Sequence, residues 1–390
     1  MKIRMGLLAL AGMMLGLGAD AVAQVRPVPK IDPGVLRVAT ERAAMTRFDP
    51  AVHGFRFINN FSNNVIPEFD YRTDGLCAGM VFAALDYFNS NPAVPLPTQD
   101  YSPGEGSPLR SYLYQRQMDS IMDRNHVKWI ELSVNPEGIR NGEFYRWGLE
   151  KGGRLDELKR RIRAGQPVPI GLKSCGNNCA GDHVVLAIGY DVGTFTGEFV
   201  DGPSGNQHLV KIYVYDPNSP GQRSVLVADP YRSVFHMQGD RNYAWRTWFI
   251  ADYSPKRPPL ITRPSREVVV SLRTGGDDLR GGNDNVHVVL LARDGREHRA
   301  SNVNYRKRWV NHSTNEVSIA LPEGWSVDDL RGLRLETTFG GGIAGDNWNL
   351  DWLSVRYIDS SGSRQLLAQD GDAQRQRFTG SFRSREYLFQ

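Results

Sequence analysis

This chain of 390 residues is constrained first by what it has little of. It carries three cysteines. That is too few for a fold held by a disulfide framework, and the odd count leaves at least one thiol without a mate in the chain. Beyond Gly18 there is no long apolar run, which excludes a helical membrane span in the remainder. Charge of one sign is scarce as well. The formal net charge is +4 and no Lys/Arg run stands out, so nucleic acid has no basic footprint to bind. No repeat period is present, so nothing points to a solenoid.

What is there begins with an export signal. Lys2 and Arg4 precede an apolar run from Gly6 to Gly18, and Ala21-Val22-Ala23 offers a small-x-small cleavage site. The expectation is a signal peptide over 1–23, a mature chain from Gln24, and a secreted or periplasmic protein. Hydrophobic residues make up 40%, which suits a globular protein, and the length suggests two domains.

Residues 24–54 read as a Pro-rich N-terminal extension, followed by an amide-rich and aromatic segment from Phe55 to Asn64. A helix is expected from Cys77, where Val81, Ala84, Leu85 and Phe88 recur at i, i+3, i+4 and i+7. Helices are also expected over about 109–125 and 154–164, the latter ended by Gly165 and Pro167. From there the period falls to that of strands: Val168–Leu172, Val184–Tyr190, Val210–Tyr215, Ser224–Ala228 and Trp245–Ala251. Helices followed by a probable antiparallel sheet make an α+β order over 55–253. Residues 254–263 read as a linker, and 264–390 as a mostly β unit with Gly-rich connections.

Cys77 follows the turn signal Asp74-Gly75 and opens its helix, where first-turn amides lack intrahelical partners and favour a negative charge. His183 begins one strand and Asp216 ends the next strong one. If those strands pair antiparallel, imidazole and carboxylate come within hydrogen-bond reach, and the other ring nitrogen is left for Cys77. Thiolate nucleophile, imidazole base and a carboxylate fixing the ring are what acyl transfer by a thiol requires. Cys175 and Cys179 bracket a short loop and are expected to pair with each other. A zinc set of Cys175, Cys179, His183 and His208 is the weaker alternative.

Four segments in order carry a resemblance. They are Cys77 opening a helix, Gly165-Gln-Pro-Val-Pro-Ile-Gly-Leu, Asp182-His183-Val-Val-Leu-Ala-Ile-Gly-Tyr-Asp, and Tyr215-Asp216-Pro217-Asn218. Together they resemble the papain-like cysteine peptidase superfamily, in its bacterial branch similar to the C39 peptidases. The resemblance implies a two-lobed α+β domain, helical lobe plus antiparallel sheet lobe, with Cys77 as nucleophile, His183 as base and Asp216 as orienting group. Two features depart from the family. Cys-Ala-Gly-Met-Val stands where the family has Cys-Gly-Ser-Cys-Trp, and no Gln lies just before Cys77 to hold an oxyanion. The Cys77 amide, with Asn60, Asn63 or Asn64, is the expected replacement.

In the C-terminal unit, Thr274-Gly-Gly-Asp-Asp-Leu-Arg-Gly-Gly-Asn-Asp-Asn-Val and Gly345-Asp-Asn-Trp-Asn-Leu-Asp-Trp-Leu are similar to PLAT/LH2-type β-sandwiches. Such domains bind lipids, glycans or proteins, sometimes with calcium. Asp277, Asp278, Asp284 and Asp346 are the hard oxygen ligands such an ion would take, although Asp, Asn and Gly also simply form turns. Trp348 and Trp352 are expected in the core. The leading expectation is a secreted thiol hydrolase acting on peptides, with no cofactor for catalysis and a β-sandwich that localises it. The alternatives are an inactive scaffold that binds, or a Cys-dependent acyltransferase of transglutaminase type.

Overall fold

The computed structural model describes residues 41–66, 71–104, 107–122, 124–135, 142–175, 180–198, 205–262, 264–340, 346–369 and 376–389, without the side chains of 62–74 and 368–369. The chain divides into two compact units, Met1–Arg37 and Val38–Gln390. The first, with the expected signal peptide and the start at Gln24, lies outside the described residues.

The described part opens with strand β1 (Ala43–Met45), the short helix α1 (Pro50–His53) and a hairpin of β2 (Ser62–Ile66) and β3 (Tyr71–Asp74). Helices α2 (Cys77–Asn89), α3 (Pro108–Met122), α4 (Asn125–Val134) and α5 (Arg154–Arg163) follow. Strands β4 (Val168–Lys173), β5 (His183–Asp191), β6 (Lys211–Tyr215), β7 (Arg223–Asp229), β8 (Val234–Met237), β9 (Asp240–Trp245) and β10 (Thr247–Ile250) complete this portion. The sheet has eight strands in the order β10-β4-β5-β6-β7-β8-β9, all pairs antiparallel. β4 lines the first part of one edge of β5 and β1 the last part.

The unbroken apolar run of β5 follows from burial on both faces. Val185, Ala187 and Tyr190 join one cluster with Leu155, Leu158 and Ile162 of α5. Val184, Leu186 and Ile188 join the other with Val81, Ala84 and Leu85 of α2. Helix α2 is itself buried from Ala78 to Tyr87. It crosses α3 closely because position 79 has no side chain: a Cβ there would lie 2.1 Å from the Leu113 carbonyl oxygen.

A buried ion pair pins the end of this portion to α2. Arg116 Nε sits 2.7 Å from the Asp86 carboxylate, both sealed from solvent. The hydroxyls of Tyr112 and Tyr253 donate to Asp86 at 2.8 Å, as does the Lys256 amide. Arg116 also donates to the Ser254 carbonyl at 2.9 Å. The start of the expected linker is therefore fastened to the helix that carries Cys77.

The remaining strands are β11 (Glu267–Thr274), β12 (Val286–Ala292), β13 (Glu297–Ala300), β14 (Thr314–Ala320), β15 (Leu330–Thr337), β16 (Trp348–Asp359), β17 (Gly362–Gln369), β18 (Gln376–Phe378) and β19 (Ser384–Leu388). They make two antiparallel sheets. One runs β14-β11-β16-β17 with β18 on β16, the other β13-β12-β15-β19. Both contribute to one core with Trp309, Trp325 and Trp348 inside, a β-sandwich arrangement. Trp348 is wholly buried as expected, whereas Trp352 is only half-buried.

Candidate active site

The site is assembled at the junction of α2 with the sheet. In the β5–β6 pairing Leu186 faces Tyr215, so the start of β5 lies beside the end of β6. There His183 Nε2 is 2.8 Å from Asp216 Oδ1, and both side chains are buried. With Nε2 directed at the carboxylate, Nδ1 is the nitrogen left for Cys77, which is close enough to help raise the pKa of the ring. Cys77 is a free, half-buried thiol at the first residue of α2.

Burial alone would lower the His183 pKa. The charge and hydrogen bond of Asp216 oppose it, with a further contribution from Cys77, and the net effect pushes the imidazole up to about 10. The ring is therefore cationic at neutral pH. Asp216 in turn is saturated with donors. The Asn218 amide reaches its Oδ1 at 2.9 Å and the Tyr243 hydroxyl its Oδ2 at 3.4 Å. Burial, and then the Asp216 charge, push the Tyr243 pKa upward, so it remains a neutral donor.

Further side chains hold this pair in place. The Trp245 ring stacks on His183 at 6.0 Å between centroids and 17° between planes. Its Nε1 donates to the Gly181 carbonyl at 2.8 Å, fixing the turn that leads into β5. Asp182 accepts from Lys173 Nζ at 2.7 Å and from the Ser174 amide at 2.9 Å. On the helix side Asn59 accepts from the Leu76 amide at 2.6 Å and donates to Asn218 Oδ1 at 3.1 Å. One amide thus ties the start of α2 to the loop after Asp216.

These residues line a cleft of about 630 Å³ that contains Cys77, His183, Asn59, Asn60, Asn218 and Tyr243. Asn60 Oδ1 accepts from the Ser102 hydroxyl at 2.5 Å, which leaves its amide nitrogen as the end free to donate into the cleft. The Gly79 amide is taken up by Gln117 Oε1 at 2.9 Å. Among the described residues the Cys77 amide meets no acceptor, as expected of a first-turn N–H. Asn63 and Asn64 lie on β2, but their side chains are outside the described residues.

Cys77, His183, Asp216 and Asn60 are therefore brought together. Sequence reasoning missed Asn59, Tyr243 and Trp245. Asn59 stands inside the amide-rich segment that had drawn notice, whereas Tyr243 and Trp245 come from a strand with no local signal. Cys179, the expected mate of Cys175, lies outside the described residues. The weaker zinc set loses His183, whose ring is committed to Asp216 and Cys77.

The four carboxylates expected to take calcium do not form a ligand shell. Asp277 pairs with Arg377 at 2.8 Å, Asp278 with Arg308, and Asp346 with Arg280 at 3.2 Å. Asp346 also accepts from the Arg280 amide at 2.8 Å, and burial pushes its carboxyl up to about 6. Asp284 is near enough for its charge to raise Asp346 further. Among the described residues no three His, Cys, Asp or Glu side chains converge on a metal position. As placed, arginines pair with three of the four carboxylates.

No family model and no curated protein matches this chain. Similar solved structures exist at low scores. Alpha-toxin of Clostridium perfringens, from an avian strain, is 16% identical with a TM-score of 0.25, over 33% of this chain and 32% of its own. Alpha toxin of Clostridium absonum is 14% identical with a TM-score of 0.25, over 33% of each chain. A LOX carrying the Delta413-417:GS change is 12% identical with a TM-score of 0.22, over 32% of this chain and 16% of its own. The matched region is a third or less of each neighbour's length, and likeness this slight bears on neither fold nor chemistry.

Proposed function

We propose that this chain is an exported thiol hydrolase of papain-like type that cleaves amide bonds through a thioester. The observation that carries the reading is the line of groups from Asp216 through His183, 2.8 Å away, to a free thiol opening a helix inside a cleft. Cys77, as the thiolate beside the His183 imidazolium, attacks the substrate carbonyl carbon. The resulting oxyanion is met by the Cys77 amide and Asn60 Nδ2. As the C–N bond breaks, the imidazolium delivers its proton to the leaving amine, and a thioester remains on Cys77. Water then gives a proton to Nδ1 and attacks the thioester, releasing the acid and restoring the thiolate–imidazolium pair. Asp216 stays ionised and holds the ring.

Incubating the mature protein with a mixed peptide library tests this directly. Cleavage products, and an acyl adduct on the Cys77 peptide after acid quench, are expected. Their absence beside fast thiol alkylation would instead favour an acyltransferase, and adding a primary amine would then yield the transferred product. On the same reading the C-terminal sandwich is PLAT/LH2-like and takes a lipid, glycan or protein ligand that localises the enzyme.

A further inference from the structure

The cleft is not closed by the α+β portion alone. Its lining includes Asn311, His312, Ser313 and Thr314, the turn that enters β14 of the sandwich. From its place in the lining, we infer that this turn is a specificity element of the active site: it forms a subsite for a polar, uncharged side chain of the substrate. The inference rests on the thiol-hydrolase reading and names what that site selects.

Three features support it. The first is fixed placement. Buried Tyr101, in the loop between α2 and α3, packs with Val269 and Ile358 of the sandwich, and its hydroxyl donates to Glu267 at 3.1 Å. Gly104 approaches β14 so closely that a Cβ there would lie 2.3 Å from the Glu316 carbonyl oxygen. With the start of the linker fastened to Asp86 and Arg116 as well, the sandwich has two attachments to the α+β portion, so the turn is held in the lining of the cleft that contains Cys77.

The second feature is the turn's own construction. His312 is exposed and sits in the left-handed region at φ 62, and its amide donates to the Gly275 carbonyl at 3.1 Å. Ser313 is tied back through its hydroxyl to the Val310 carbonyl at 2.6 Å, and Asn311 donates to the Gly276 carbonyl at 3.1 Å. These bonds fix the turn's backbone where it lines the cleft.

The third is chemistry. Residues with amide and hydroxyl side chains line the cleft from both portions: Asn59, Asn60 and Asn218 from the α+β portion, Asn311, Ser313 and Thr314 from the sandwich. Asp182, the acid in the lining, is already paired with Lys173. Among the described residues the Thr314 hydroxyl meets no partner, so a bulky apolar side chain would leave it unsatisfied, whereas an amide or hydroxyl side chain would pair with it.

The test uses two sets of irreversible peptide probes. Peptidyl vinyl sulfones cover the acyl side of the bond and iodoacetyl peptides the leaving-group side, each carrying Gln, Thr or Leu at the varied position. Every rate is divided by the same variant's rate with plain iodoacetamide. In the wild-type protein one set should favour Gln or Thr over Leu by about tenfold, the effect of one well-made hydrogen bond of roughly 1.4 kcal/mol. His312→Gly, which suits the positive φ, and Thr314→Val, which keeps the shape, should each reduce that ratio at least threefold. Ratios unchanged by both variants in both sets would overturn the inference while leaving the hydrolase reading intact. Plain iodoacetamide reacting with Cys77 no faster than with a free thiol would instead remove the reading beneath it.

Discussion

His183 and Asp216 meet at 2.8 Å because antiparallel pairing sets the first residue of one strand beside the residue following the next. The contact is buried, so the carboxylate acts on the ring through little solvent screening. Replacing it with a neutral isostere should therefore be felt strongly. Asp216→Asn should slow amide cleavage at pH 7 by about 10²- to 10⁴-fold. It should also move the alkaline limb of Cys77 alkylation down from near pH 10 towards the ordinary histidine range. An unmoved limb in that variant would break the link between the two residues.

The same raised imidazole has a stability signature. An unfolded histidine titrates near 6.5, and His183 in the fold at about 10. The folded state therefore binds the extra proton between those values. Its contribution is fully present below pH 6.5 and is lost as pH rises through 10. Subtracting the His183→Gln urea midpoint from the wild-type midpoint should give a difference that shrinks steadily from pH 6.5 to 10. A difference independent of pH would contradict the assignment.

Asn60 carries the oxyanion prediction. Asn60→Ala should lower kcat by roughly 10²- to 10³-fold with little change in KM, since the hydrogen bond is made only as charge develops on the carbonyl oxygen. Asn60→Asp, which cannot donate when ionised, should be no better. Steady-state kinetics on a cleaved peptide decides this, and a KM effect alone would place Asn60 in substrate binding.

The Asp86–Arg116 pair predicts a large loss of stability from one substitution. Asp86→Ala strands a buried guanidinium and should cost about 3–5 kcal/mol, read from urea unfolding. Asp294→Ala, which removes an exposed carboxylate, should leave the urea midpoint almost unchanged. Similar effects in the two variants would mean the buried network does not hold the linker.

For the sandwich, arginines occupy Asp277, Asp278 and Asp346, so its melting midpoint should be the same in millimolar calcium and in chelator. A rise of several degrees with calcium would show that the arginine pairs yield to the ion.

Much of this arrangement is legible in sequence, for identifiable reasons. The run from Val184 to Tyr190 reads as a strand because both its faces are covered. The turn before Cys77 and the stripe from Val81 to Phe88 announce the helix. The adjacency of His183 and Asp216 follows from strand ends once pairing is assumed. What was hidden depends on contacts distant in sequence. Strand β9 begins Asp240-Arg241-Asn242, exposed and polar, so nothing local marks it as the element that brings Tyr243 and Trp245 onto His183. β13, Glu297–Ala300, is a polar edge strand for which alternation gives no cue. α4 shows no apolar stripe to read because only Asn125 and Leu132 of it are buried. The acidic loop residues suggested calcium because carboxylate spacing is visible in sequence, whereas the arginines that face them come from elsewhere in the chain.

The most direct measurement is the rate of Cys77 alkylation by iodoacetamide at pH 7 in the mature protein and in His183→Ala. The thiolate–imidazolium arrangement predicts labelling much faster than that of a free cysteine peptide, falling to the peptide's rate or below once the ring is removed. Labelling at the free-peptide rate in both proteins would contradict it.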